Sequence, residues 1–125
     1  MKRVTGLGGV FLKCKDKPAM LAWYIKHLGI SMQDWGAVFE PKSFIEEHPG
    51  GSQVFSFFEE KTEYFNPSNS SFMVNFTVAD LDTLLPQLKS EGVNVLDKTD
   101  SSEFGKFGWV IDPEGNKIEL WEPPH

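Results

Sequence analysis

Two periodicities alternate along this chain, and between them they divide it into strands and helices. From Val4 to Lys15 the pattern is that of a strand, with Val10, Leu12 and Cys14 on one face. Gly6, Gly8 and Gly9 make its start irregular. The period then changes. Asp16 stands at an N-cap position, Pro18 falls in the first turn, and Leu21, Tyr24, Ile25 and Leu28 recur as one helical face with Met20 at its edge. Gly29 closes that helix. Ile30 to Phe39 reads as a strand or strand pair interrupted at Gly36, and Pro41 to Ser52 as a polar loop. Gln53 to Glu59 is a strand, and Lys61 to Ser71 a linker containing NPSNSS.

The second half restarts the same order. In Phe72 to Val78, the residues Val74, Phe76 and Val78 share one face and Met73, Asn75 and Thr77 the other. Asp80 caps a helix whose apolar stripe is Leu81, Leu84, Leu85 and Leu88 and whose end is Gly92. Pro86 removes a backbone donor inside it and is expected to loosen or bend the axis. Val93 to Leu96 is a short strand, Asp97 to Glu103 a polar loop, and Phe104 to Pro124 a hairpin about Asp112-Pro113-Glu114-Gly115-Asn116. Asp16 and Asp80 anchor the two halves at a spacing of roughly 64 residues, as two copies of one module rather than a solenoid. Neither copy alone buries both a helix face and a sheet face, so the two are expected to share one sheet system in a single α+β domain.

Composition narrows the function. The net charge of −6 argues against binding a phosphate backbone, so no nucleic acid partner is expected. A single cysteine excludes an intrachain disulfide and a cysteine-cluster metal site. The amino terminus lacks an adequate apolar h-region, and no apolar run is long enough to span a bilayer; a soluble, cytoplasmic protein without membrane contact is the expectation. Eleven Phe and four Trp exceed what a core of this size ordinarily holds, and aromatics also line concave small-molecule sites.

One residue breaks the pattern. In the last strand Ile118 and Leu120 point one way and Lys117, Glu119 and Trp121 the other, which puts a carboxylate in mid-strand among β-formers. Three roles are open to Glu119: a structural carboxylate paired with Lys13 or Lys117, a ligand-contacting acceptor or general base, or a metal ligand.

The segments VFLKCKD, AWYIKHLGI, VNFTVADLD, the EGV helix ending and above all VIDPEGNKIEL resemble the vicinal oxygen chelate superfamily, the glyoxalase, bleomycin-resistance and extradiol dioxygenase group. The likeness runs over nearly the whole chain and is weakest between Ser31 and Ser71. It implies two βαβββ modules, roughly 1–65 and 72–125, whose mixed sheet curls into a cup. It also implies a homodimer, with the cup completed within a chain or across the dimer. In metal-using members, ligands occupy inward-facing strand positions, which fall here at Gly9, Met73 and Glu119, with Ser56 nearest to a fourth. Glycine has no donor and a thioether suits hard cations poorly, so only Glu119 matches. No metal cofactor is therefore expected.

Pairing Asp112 with Lys117 would set Val110 opposite Glu119 and Gly108 opposite Trp121, with Trp109, Ile111, Ile118 and Leu120 under the helices. The cup would then present Phe11, Lys13, Met73, Asn75, Thr77, Val110 and Trp121 to a ligand, with Glu119 as the catalytic candidate. The reading is a glyoxalase-like protein that holds a small, largely apolar or aromatic molecule in an aromatic-lined cup without the family's metal, whether or not it is an enzyme. The alternatives are a metal-dependent lyase or dioxygenase of the same superfamily, or a dimerising module without a ligand. His27, His48, His125 and Cys14 read as structural or surface residues, and Tyr64-Phe65 as candidates either to fold over the cup or to close the core edge.

Overall fold

Both long helices begin at an aspartate and end at a glycine, as the pattern predicts. The computed structural model describes residues 1–3 and 7–124. Helix α1 (Lys17–Leu28) follows Asp16, whose carboxylate accepts the Ala19 N–H at 3.1 Å, and ends at Gly29 with φ of 65°. Its buried face is Met20 and Tyr24, while Ile25 is 48% exposed, so the stripe is rotated toward Met20 relative to the expected one. Tyr24 explains the rotation: its hydroxyl donates to Asp112 Oδ2 at 2.8 Å, which ties α1 to the terminal hairpin. Burial, then the hydrogen bond to Asp112 and its charge, push the Tyr24 hydroxyl well above the ordinary phenol range, so it remains a donor.

Helix α2 (Pro41–Glu47) corrects the polar loop expected there. A proline that marks a loop also suits the first position of a helix, because its fixed φ is helical and its missing N–H would have no partner. Among the described residues no side chain caps this helix, and none of its residues is buried.

Strand β1 (Val74–Thr77) leads to Asp80, whose carboxylate accepts from Thr83 N at 3.2 Å and Thr83 Oγ1 at 2.8 Å. Helix α3 (Leu81–Ser90) runs through Pro86 and buries Leu81 and Leu88. The Glu122 carboxylate accepts the Leu81 N–H at 2.8 Å, fixing the start of α3 to the last strand. At the other end Gly92, with φ of 84°, lets Val93 N–H reach Leu88 O and Gly92 N–H reach Lys89 O, both at 3.1 Å. This is the Schellman closure, and Val93 and Leu88 supply its hydrophobic contact.

The remaining strands are β2 (Asn94–Val95), β3 (Asp100–Ser102), β4 (Gly105–Ile111) and β5 (Lys117–Glu122). They form one open, mixed sheet in the order β1-β5-β4-β2, with β3 also paired to β4. β1 and β5 are parallel; the other pairs are antiparallel. The architecture is α+β, as expected.

The hairpin register differs by one residue from the expected one. Ile111 pairs with Lys117, Trp109 with Glu119, and Phe107 with Trp121. The cause is the loop. Asp112 is not a strand residue but the hub of a five-residue turn, where its carboxylate accepts from Glu114 N, Asn116 N and Asn116 Nδ2 at 2.8–2.9 Å. A one-residue slip moves every side chain to the other face. Val110 therefore pairs with Ile118 under the helices, fully buried, rather than beside Glu119. Trp109 moves the other way and shares the Glu119 face.

The core gathers Val110, Ile118 and Leu120 of the sheet with Leu81, Leu88, Val93, Met20 and Tyr24. Each fully buried aliphatic side chain contributes about 1.5–3 kcal/mol. Gly108, opposite Leu120, leaves room for Leu85, whose Cδ1 would lie 2.8 Å from an added Cβ.

The expected strands of the first half do not pair. Val4 to Gly6 lie outside the described residues. Residues 7–15 and 53–59 form no ladder, and between 30 and 39 the pairing is one bridge, Gln33 to Gly36. Many of their side chains stay largely exposed in the described chain: Val10 is 57% exposed, Phe55 78% and Phe57 87%. Cys14, expected in the core, lies in the first of these stretches and is likewise exposed. Beside the apolar contacts of α1, polar bonds tie this end to the sheet. Glu114 in the hairpin turn accepts Lys15 N and Asp16 N at 2.7–2.9 Å. His27 Nδ1 meets Glu91 at 2.7 Å, joining α1 to the end of α3.

Candidate functional site

The sheet face away from the core carries the chemistry. Glu119 lies mid-strand in β5, with Asn75 of β1 beside it on one side and Trp109 of β4 on the other. Alternation then adds Lys117, Trp121, Thr77, Phe107 and Ile111 to the same face.

Three donors converge on the Glu119 carboxylate. Trp109 Nε1 donates to Oε1 at 3.1 Å, Tyr64 Oη donates to the same oxygen, and Asn75 Nδ2 donates to Oε2 at 2.6 Å. Tyr64 comes from the loop before β1, so a segment the strand pattern does not position completes the site. Its hydroxyl is pushed well above the ordinary phenol range, first by burial and then by the hydrogen bond and charge of Glu119. It therefore remains protonated and donating across the physiological range.

An aromatic wall surrounds these groups. The Tyr64 and Trp109 rings meet edge to face at 6.0 Å, and Phe58 stacks on Tyr64 at 5.3 Å. Lys117 is buried between them. Its Nζ donates to the Tyr64 carbonyl at 2.5 Å and lies 5.1 Å and 5.2 Å from the Tyr64 and Trp109 ring centroids. Burial lowers the Lys117 pKa; Glu119 acts against that shift and Lys98 adds to it. A cavity of about 270 Å³ opens here, lined by Glu63, Tyr64, Leu96, Lys98, Trp109 and Lys117.

The structure brings together Glu119, Asn75, Thr77 and Trp121 of the expected site residues. Trp121 is committed at the margin: its Nε1 donates to Phe104 O at 2.8 Å and its ring stacks on Phe107. Met73, just before β1, is half-buried. Phe11 is 97% exposed and Lys13 is exposed; neither is brought to Glu119 among the described contacts. Val110 is on the opposite face. The positions at Gly9 and Ser56 are likewise exposed and offer nothing to Glu119. His48 packs against Phe44 at 5.5 Å, and His125 lies outside the described residues. Trp109 and the cavity role of Lys117 are not read from the pattern. Counting the turn as five residues would have placed Trp109.

The family model of the Glyoxalase/Bleomycin resistance protein/Dioxygenase superfamily matches residues 6–120. The chain belongs to this superfamily. Solved structures share the fold. A protein from the mobile metagenome of V. pseudocholerae is 19% identical with a TM-score of 0.60, over 100% of this chain and 99% of the other. A protein of unknown function from Agrobacterium tumefaciens is 19% identical with a TM-score of 0.55, over 94% and 97%. A glyoxalase-related enzyme from Fulvimarina pelagi is 19% identical with a TM-score of 0.51, over 94% and 90%. A conserved domain protein matches over 42% of this chain, which spans about half of that protein's length (47%). No curated protein matches the chain.

Superfamily membership raises the question of a metal, and the residues around Glu119 do not fit one. A divalent cation needs several lone pairs converging from N, O or S ligands. Here the neighbours aim hydrogens at the carboxylate, and both its oxygens are engaged. Among the described residues no three His, Cys, Asp or Glu side chains cluster. The same residues are suited instead to holding one carboxylate in place at the wall of an aromatic cavity. No helix among the described residues is long and apolar enough to cross a membrane.

Proposed function

We propose that the chain binds a small, largely apolar or aromatic molecule on the Glu119 face, without a metal. The observation that carries this reading is the carboxylate held by Trp109, Asn75 and Tyr64 beside an aromatic-walled cavity of about 270 Å³. Tyr64 is the donor that a ligand carrying an N–H or O–H replaces, because it sits on a loop and is 37% exposed. A ligand N–H or O–H then takes its place on Oε1, which makes Glu119 the acceptor or general base toward the bound molecule. Thr77 and Met73 extend the same surface. The test is calorimetric titration with cinnamamide, a neutral planar probe with an N–H donor. The native protein binds it saturably, and Trp109→Ala and Glu119→Leu weaken binding at least about tenfold, the loss of one good contact. Absence of saturable binding refutes the reading.

A second copy of the chain is the proposed partner, with stretches 1–65 and 72–125 acting as the two modules of the shared cup. Residues 7–12 and 53–58 support this, since they combine β-forming sequence, no ladder and exposed Leu7, Phe11, Phe55, Phe57 and Phe58. Sedimentation measures it: the native protein is a dimer at micromolar concentration and Phe57→Asp dissociates it. A native monomer refutes it.

A further inference from the structure

Lys117 is the group that the proposed site leaves least satisfied. It is 8% exposed, yet its ammonium has one hydrogen-bond acceptor among the described residues, the Tyr64 carbonyl. An ammonium carries three donors. The two aromatic faces give the charge some compensation but accept no proper hydrogen bond. Two N–H groups therefore remain for whatever fills the cavity that Lys117 lines. Lys98 adds a second positive charge to that lining.

Glu119, by contrast, lies behind the cavity wall and is already met by three donors, so that Glu63 is the one carboxylate among the described lining residues. In the lining the ammonium groups of Lys117 and Lys98 face the single carboxylate of Glu63, and the one positive charge left over suits a single negative charge rather than a phosphate or a diacid. The size of the cavity, at the lower end for small-molecule sites, suits one ring with a short substituent. The wall of Leu96, Tyr64 and Trp109 suits a planar apolar body.

We infer that the ligand is a small planar monocarboxylic acid whose carboxylate is received by Lys117, with Lys98 at the entrance and the ring against Leu96 and Trp109. This rests on the ligand-binding reading of the Glu119 face and names the chemical class that face selects. Lys117 is then the specificity-determining residue; a carboxylate brings no N–H to Glu119, so with this ligand Tyr64 keeps its bond to Oε1 and Glu119 holds Trp109 and Tyr64 in the positions that shape the cavity.

The test compares cinnamate with cinnamamide, which differ in charge and hardly in shape, by calorimetry on the native protein, Lys117→Met and Lys98→Met. The native protein prefers cinnamate by at least about tenfold, the worth of a charge-assisted hydrogen bond. Lys117→Met loses most of that preference while still binding cinnamamide, which shows that the cavity survives. Lys98→Met loses part of the preference, and that part is the portion most weakened by added salt. Equal binding by the native protein overturns the inference without any variant, as does a preference that persists undiminished in Lys117→Met. If neither probe binds, the ligand-binding reading itself fails; if only cinnamamide binds, that reading stands and the carboxylate assignment falls.

Discussion

Replacing Glu119 by leucine keeps most of the side chain's bulk and removes every acceptor. Tyr64 Oη, Asn75 Nδ2 and Trp109 Nε1 each lose their partner. Exposure decides which loss is costly. Tyr64 is 37% exposed and Asn75 is exposed, so both can turn to water. Trp109 is 4% exposed and its indole N–H cannot. A buried donor left unpaired costs about 1–3 kcal/mol, so Glu119→Leu should lose that much stability. The shared hydrogen bond also couples the two residues. Trp109→Phe removes the stranded donor, so the double variant should be more stable than the two single losses predict, by about 1 kcal/mol or more. Urea unfolding followed by far-ultraviolet circular dichroism gives all four corners of the cycle without depending on tryptophan emission. Losses that add within about 0.5 kcal/mol would show that the carboxylate is not the partner of the indole, and the account of the site would fall.

Further outcomes follow from other contacts. Asp112→Ala strands Tyr24 Oη, Asn116 Nδ2 and two turn amides at once, and should cost about 2–4 kcal/mol in the same unfolding assay. Gly105→Ala meets both a positive φ of 109° and the carbonyl of Glu122, and should lower the melting temperature far more than Gly115→Ala, where the Cβ has open space. The two tyrosines both have raised pKa values, so neither should show phenolate absorbance at pH 11 in the folded protein, whereas both ionise near pH 10 in urea. The sign follows: the folded state holds those protons longer, so stability falls as pH rises above about 10. Elemental analysis should find no stoichiometric zinc, nickel or iron, and finding one would restore the metal-dependent lyase or dioxygenase alternative.

Much of this was legible in the sequence because it rests on local rules. Asp16 and Asp80 cap their helices, Gly29 and Gly92 end them, and the alternation in VNFT puts Asn75 on the Glu119 face. Those signals need only neighbours three or four residues away. The hairpin was found, but its register turns on whether Asp112 belongs to the strand or the turn. Its carboxylate settles that by bonding residues ahead of it, and with it the places of Trp109 and Val110. The sequence offers Tyr64 as a cover for the cup or an edge of the core; in the structure it donates to Glu119, a contact spanning 55 residues that no periodicity encodes. The first-half strands were read from β-forming residues, yet a strand also needs a partner, and composition does not say whether one is available within the chain.

Trp109, held by Glu119, walls a metal-free ligand site. The most direct measurement is the indole N–H resonance of Trp109 in protein labelled with nitrogen-15 tryptophan, assigned by its loss in Trp109→Phe and followed during titration. It should shift saturably with cinnamamide and stay in place with one equivalent of zinc. A resonance indifferent to cinnamamide, or displaced by stoichiometric zinc, would contradict the account.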